Sequence, residues 1–354
     1  MSKPTKQFSL KQKVQYTSVI VLFFLLIMWL FGEVILRVTA KPTEYSNKSI
    51  IHEQLGWVPK QDYSASYKMK NFGENGISYK VNYRTEKYGF RKWGDPNSLQ
   101  PKVWFIGDSF VQSVEASNED LFYKHIGDSL DIEVFAFGQA GYGILQEKLI
   151  LDSYIEKIKP DLIIWQVCDN DFVDNYAPLE YNSGYKVGLR RPYLNKDGSI
   201  TYRKPVPKWQ EVVDKSKFLA LIRKKLQNTF GDKTKITTQK MINDLNKEYP
   251  PYLESLEITK MIVASIKETT KNIPIIAFSA SRFEPSLTNI SEIFEGQNIP
   301  LNNKLGRQIQ KKSKEGPILL SKDGYHWNPA GQRFVADMLI PDVAKALYKI
   351  KTNN

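Results

Sequence analysis

Two serines of this chain close the same tripeptide. Gly-Asp-Ser ends on Ser109 in VWFIGDSFVQS and on Ser129 in YKHIGDSLDIE. A serine hydroxyl becomes a nucleophile only beside a base, and histidine is the usual base at neutral pH. The chain has 3 histidines, His52, His125 and His326. His326 stands in SKDGYHWNPAGQ with Asp323 three residues ahead of it. That spacing lets a carboxylate hold one imidazole nitrogen from within a single loop and leaves the other nitrogen for a serine. The same Asp-x-x-His spacing also occurs in helix-capping turns, so the surrounding elements must decide. The single cysteine, Cys168, excludes an intrachain disulfide. As an alternative nucleophile it has no histidine beside it in sequence.

The two serines differ in what precedes them. Ser109 follows KVWFIG, a short apolar run that reads as a strand, and the chain turns into a loop where the run ends. A hydroxyl there stands at the carboxyl edge of a sheet, among backbone N–H groups that the strand ladder has released and a helix has not yet taken up. Ser129 instead closes an amphipathic stretch over 121–130, with Phe122, Ile126 and Leu130 on one face, and reads as a solvated or capping residue. Ser117 and Asp120 are positioned as a capping box ahead of that stretch. Further strands are expected at IEVFAFG (132–138), DLIIWQVC (161–168) and IPIIAFSA (273–280), with helices over 144–158 and about 329–349. Near-continuous apolar strands alternating with amphipathic helices describe an α/β three-layer sandwich around a parallel sheet. In such a sheet reactive groups gather at the carboxyl ends of the strands.

The N-terminus carries a different signal. SVIVLFFLLIMWLFGEVIL, residues 18–36, is apolar except for Glu33, and Lys3, Lys6, Lys11 and Lys13 precede it. At ~1.5 Å per residue a helix of this length matches the hydrocarbon thickness of a bilayer. Glu33 lies near the end of the run, where a carboxylate can reach the interface. The lysine asymmetry places residues 1–17 in the cytoplasm, a single-pass anchor over 18–38 and the remainder outside. A cleaved signal peptide ending at Val38-Thr39-Ala40 is the competing reading. Either way the bulk of the chain is translocated. The net charge of +12 then points away from nucleic acid and towards an anionic envelope. Residues 39–100 read as a small β-rich lead-in and 101–350 as the α/β domain, interrupted by a basic, Tyr- and Trp-rich insertion over 176–254. The insertion reads as surface decoration for most of its length, or else as a lid or a membrane-facing wall.

Four ordered blocks carry a family resemblance: FIGDSF, FGQAGYGILQE, QVCDNDFVDN and DGYHWNPAGQ. Together they resemble the SGNH (GDSL-type) hydrolases across most of 101–347, with a flavodoxin-like sheet, and the lead-in resembles that of a membrane-anchored bacterial branch. The resemblance implies Ser109 as nucleophile, His326 as general base and Asp323 as its orienting carboxylate. It further implies an oxyanion hole made by the backbone N–H groups of Ser109 and Gly141 with the Asn170 side chain, and calls for neither cofactor nor metal. Asp108 and Asp171 are expected to brace their loops. Two residues depart from the family pattern, Cys168 where glycine is usual and Ala136 where asparagine is frequent; tighter packing is expected at Cys168. The implied function is a membrane-anchored extracytoplasmic serine esterase acting through an acyl-serine on an O-acylated envelope glycan or another envelope ester. The alternatives are acyl transfer to a sugar hydroxyl and a catalytically silent glycan-binding scaffold.

Overall fold

A computed structural model of the chain describes residues 9–39, 48–73, 76–182, 189–204, 208–230 and 238–353. Lys3, Lys6 and Ala40, on which parts of the topology and cleavage readings rest, lie outside the described residues. Two compact units emerge, one of residues 45–205 with 236–354, the other of residues 1–44 with 206–235.

The larger unit is organised by a five-stranded sheet. Its strands are β5 (Lys102–Gly107), β6 (Glu133–Gly138), β7 (Leu162–Val167), β10 (Ile275–Ser279) and β11 (Leu301–Asn302). They run parallel in the order β11-β10-β7-β5-β6. Counted by appearance along the sheet this is the 2-1-3-4-5 arrangement of flavodoxin-like folds, whose crevice opens between the first and third strands, here β5 and β7. The expected strands are therefore present, each trimmed by no more than two residues at an end.

Alternation along the strands divides the core into two layers. On β5, Trp104 and Ile106 join one cluster while Val103 and Phe105 join the other. The first layer is covered by α4 (Ile144–Ile158), α10 (Pro250–Thr270) and α11 (Ser286–Gly296). The second is covered by α3 (Phe122–Leu130), α12 (Leu305–Glu315) and α13 (Pro329–Asn353). Both faces are sealed, which is why these strands carry almost no polar residues. Each fully buried Val, Leu, Ile or Phe contributes about 1.5–3 kcal/mol relative to exposure.

The lead-in forms two antiparallel hairpins, β1 (Ser49–His52) with β2 (Gly56–Pro59) and β3 (Ser64–Lys70) with β4 (Ser78–Arg84). Its last residues cover the open edge of β6, Arg91 N donating to Ala136 O (2.9 Å) and Ala136 N to Lys92 O (2.9 Å). That cover protects an edge strand that would otherwise offer free ladder groups. Within the insertion, α6 (Ala177–Asn182), the hairpin β8 (Arg191–Leu194) with β9 (Ile200–Arg203), and α9 (Thr238–Leu245) belong to this unit.

The capping box is not formed. Ser117 makes no cap hydrogen bond and instead accepts from Asn82 N of β4 (3.1 Å), because the lead-in hairpin claims its hydroxyl. α3 begins later, at Phe122, whose N–H donates to Gln332 Oε1 (3.1 Å).

The smaller unit consists of α1 (Leu10–Thr39), α7 (Lys208–Asp214) and α8 (Lys217–Phe230). α1 starts ahead of the expected span and has an 18-residue window of mean hydropathy 2.8, long and apolar enough to cross a membrane. Glu33 is buried rather than turned towards solvent. Its carboxylate accepts from Ser216 Oγ (2.7 Å) and from the backbone N–H groups of Phe218 (3.0 Å) and Lys217 (3.2 Å).

Candidate active site

Ser109 opens α2 (Ser109–Gln112), the short turn that follows β5. The turn is braced by Asp108, whose Oδ1 accepts from Phe110 N (2.9 Å) while its own N–H donates to Gln166 Oε1 of β7 (3.0 Å). Burial pushes the Asp108 carboxyl up to about 6. The turn ends on Ser113, with left-handed backbone (φ 45°), whose Oγ accepts from Gln332 Nε2 of α13 (2.8 Å). Gly138, closing β6, lies against this turn: a Cβ there would stand 2.3 Å from Gln112 N and 2.7 Å from Asp108 O. Only glycine permits the two strand ends to approach this closely.

His326 lies across from the turn, in the loop before α13. Its Nε2 is 2.8 Å from Ser109 Oγ, and its Nδ1 is 2.5 Å from Asp323 Oδ2. An ionised carboxylate only accepts, so Nδ1 carries the proton and the Nε2 lone pair faces the serine. Asp323 Oδ1 also accepts from the N–H groups of Tyr325 (2.9 Å) and His326 (3.0 Å), which folds the loop around the carboxylate. Burial opposes its ionisation, but these bonds and the imidazole hold it well below the usual carboxylate range. The rings of Tyr325, His326 and Trp327 pack about Phe110, with centroids 5.1, 4.9 and 4.6 Å away.

A second carboxylate attends the imidazole. Glu115, buried in the loop after α2, places Oε1 3.8 Å from His326 Nδ1. Burial raises the Glu115 carboxyl. Burial likewise pulls His326 down, yet the Asp323 hydrogen bond and the charges of Glu115, Asp323 and Asp108 outweigh it, so the imidazole lies above its ordinary value. Glu115, Asp323 and His326 are also the group whose donor atoms, all within 4.8 Å, could converge on a metal among the described residues. The Asp323 hydrogen bond already occupies the Nδ1 that such an ion would need.

The other residues implied by the resemblance stand at the same sheet edge. Gly141 follows β6 with φ +75°, a conformation that favours glycine. Its loop is tied to the serine turn by Ala140 N donating to Gln112 Oε1 (3.0 Å). Asn170 follows β7, and its Nδ2 donates to Asp174 Oδ2 (2.8 Å), leaving a second N–H on the same nitrogen. Asp174 in turn faces Arg191, the first residue of β8. This fully buried guanidinium lies 3.2 Å from Asp174 Oδ1 and 3.0 Å from Glu180 Oε1, and donates to Asp174 O (3.1 Å) and Gly141 O (2.9 Å). One cation from the insertion thus holds both the Gly141 and the Asn170 loops. This part of the insertion is structural support for the site rather than decoration.

The lead-in also reaches the site loops. Arg91 is buried and donates to the carbonyls of Ser113 (3.3 Å) and Ala116 (3.2 Å), flanking Glu115. Tyr67 donates to Val114 O (2.6 Å), and Phe72 N donates to Leu320 O (3.0 Å) ahead of the His326 loop.

The remaining candidates fall elsewhere. Ser129 is exposed in the last turn of α3. His125 lies on the same helix, with Nδ1 3.5 Å from Arg333 Nη1. His52 Nδ1 accepts from Leu55 N (3.1 Å), capping its own turn. Cys168 is buried with Sγ 2.7 Å from Tyr325 OH, and burial drives its thiol well above the ordinary range, away from the reactive thiolate. Asp171, which opens the short helix α5 (Asp171–Asp174), accepts from Cys168 N at Oδ2 (2.8 Å), bracing the turn after β7.

Solved structures similar to this chain include the acetyl xylan esterase AlAXEase, at 16% identity, a TM-score of 0.39 and coverage of 68% of this chain and 99% of that one. The psychrotrophic esterase EstA from Pseudoalteromonas sp. matches at 14% identity and a TM-score of 0.40, covering 70% and 98%. TesA matches at 9% identity and a TM-score of 0.41, covering 69% and 99%. Comparison with curated protein sequences yields no significant match. The family model described as GDSL-like lipase/acylhydrolase matches residues 103–339, well over half of the 354, from the first residues of β5 into α13. By that match the chain belongs to the GDSL-like lipase/acylhydrolase family and is an ester-hydrolysing enzyme.

Proposed function

We propose that the protein cleaves esters through an acyl-serine at Ser109, with His326 as general base and Asp323 as the group that orients it. The observation that carries this reading is the continuous contact from Asp323 Oδ2 through the imidazole to Ser109 Oγ, at 2.5 and 2.8 Å. His326 takes the hydroxyl proton as Oγ attacks the ester carbon. The N–H groups of Ser109 and Gly141 and the free amide hydrogen of Asn170 receive the developing oxyanion. His326 then protonates the departing alcohol, and water repeats the sequence to release the acid. Each oxyanion donor of this kind is worth about 2.7–4 kcal/mol.

Full-length protein in detergent should be labelled by a fluorophosphonate at Ser109, located by peptide mapping. Ser109→Ala and His326→Ala should each abolish turnover of a small acetyl ester, and Ser129→Ala should retain it. Label on Ser129, or full turnover by Ser109→Ala, would refute the assignment.

In this reading α1 anchors the chain in the cell membrane, with its N-terminus in the cytoplasm and the hydrolase domain outside. The substrate is an O-acylated carbohydrate or another ester of the cell envelope. The apolar length of α1 supports the anchor, and the net charge of +12 favours an anionic polymer. Incubation with acylated envelope polysaccharide should release free acid. Acyl groups appearing on added sugar instead would redirect the reading to transfer.

A further inference from the structure

In the smaller unit, one face of α1 is withdrawn from solvent, formed by Trp29, Gly32, Glu33 and Leu36 at helical spacing. The start of α8 meets that face. The Phe218 ring lies against Gly32, where a Cβ would stand 2.4 Å from Phe218 Cδ2. Glu33 caps the first turn of α8 through the Ser216 hydroxyl and the Lys217 and Phe218 N–H groups, and it pairs with Arg37 (2.7 Å). Trp29 Nε1 donates to the same Ser216 Oγ (3.0 Å). A carboxylate in an apolar helix is costly unless it is paired and hydrogen-bonded, and here α8 supplies the partners.

α8 thus stands beside the C-terminal turns of α1, and Glu33 lies ~20 Å along the axis from Val19. Counted from Val19, this puts Glu33 roughly two-thirds of the way across a ~30 Å hydrocarbon layer, in its outer half. Its remaining surface is amphipathic. Leu219, Ile222 and Leu226 form an i, i+3, i+7 stripe, 39, 38 and 52% exposed, and α7 adds Trp209 and Val212 at 58 and 63%. Over 208–230 the sequence has six basic residues (Lys208, Lys215, Lys217, Arg223, Lys224, Lys225) against two acidic ones (Glu211, Asp214). The apolar side chains of α1 from Val19 to Met28 are likewise exposed, and a bilayer is the solvent that receives both.

We infer that α7 and α8 form an interfacial membrane-binding pair, docked on the anchor helix by Glu33, whose apolar stripe enters the outer leaflet while its lysines meet anionic lipid headgroups. An exposed apolar stripe combined with cations is the recognised composition of helices that lie in a bilayer surface. The inference rests on the anchor reading of α1.

The test uses the full-length chain in lipid nanodiscs, with a nitroxide placed in separate variants at Phe24→Cys, Ile222→Cys, Leu226→Cys and Lys215→Cys; the native thiol, Cys168, is buried. Collisions with oxygen, which partitions into lipid, and with a water-soluble nickel chelate are compared at each site. The ratio of oxygen to nickel collisions should be several-fold higher at 24, 222 and 226 than at 215. At 222 and 226 it should rise further when phosphatidylglycerol is mixed into phosphatidylcholine. Adding Glu33→Ala should bring the 222 label into water and leave the 24 label in lipid. Labels 222 and 226 in water with label 24 in lipid would overturn this inference alone and turn the surface over to a protein partner. Label 24 in water would overturn the anchor reading and this inference with it. Equal ratios with and without phosphatidylglycerol would remove the anionic-lipid component.

Discussion

At the scale of residues, His326 is tuned by more than the aspartate three positions before it. Two carboxylates face its Nδ1, and together they favour the imidazolium. In the proposed mechanism His326 must be neutral to act as base, so turnover should fall as pH drops through a His326 pKa that lies above the ordinary histidine value. Replacing Glu115 by Gln removes a negative charge that stabilises the protonated ring, lowers the His326 pKa, and should move the acid limb of the kcat/KM profile to lower pH. A pH–rate profile of Glu115→Gln with an unmoved limb would leave Glu115 a packing residue. The meeting of Ser109, Asp323 and His326, on which the proposal rests, is legible in the sequence because each stands in a local pattern, a serine after an apolar strand and a carboxylate within one loop of a histidine. Glu115 carried no such mark. Its carboxylate reaches the imidazole only after the chain has brought the two positions together across more than two hundred residues, which no local spacing encodes.

At the scale of elements, the strand ends set the site and neighbouring segments fix them. Arg191 in β8 bridges the Gly141 and Asn170 loops, so its loss should loosen both. Arg191→Met leaves Asp174 and Glu180 buried without their cation, a change that costs about 3–5 kcal/mol of stability. A gentler variant, Asp174→Ala, frees the Asn170 amide to rotate. It should lower kcat by up to about the 10²–10³-fold expected for deleting an oxyanion donor, with KM little changed. Stopped-flow or steady-state kinetics on Asp174→Ala, Asn170→Ala and the double variant should give non-additive losses, because both act on one amide. Gly138→Ala should destabilise the domain by about 1–3 kcal/mol, read from its thermal midpoint, and depress kcat by displacing the Ser109 turn. Strands, and the helices over 144–158 and about 329–349, are readable because their apolar period is strong, although the last helix runs on to Asn353. The capping box at Ser117 misled because a hairpin far upstream had a better use for its hydroxyl. The same blindness hid Arg191, whose partners Gly141, Asp174 and Glu180 lie in other segments.

At the scale of the whole molecule, the proposed topology makes a direct prediction. With the chain in intact cells, a cysteine introduced at Ser2 should react with an impermeant maleimide only after the membrane is opened, whereas one introduced at Ser129, exposed on α3, should react at once. The reverse pattern would invert the topology. The long apolar helix α1 is legible from composition alone, whereas the contacts of Glu33 are not, since its partners lie some 180 residues downstream. The lead-in has a practical corollary for anyone preparing this protein. The family match begins at 103, but Arg91, Tyr67 and Phe72 hydrogen-bond the carbonyls that shape the loops on either side of the site. An expression clone cut at the family borders would keep Ser109, Asp323 and His326 and discard the scaffolding that holds their loops, and its silence in an assay would say nothing about the intact enzyme.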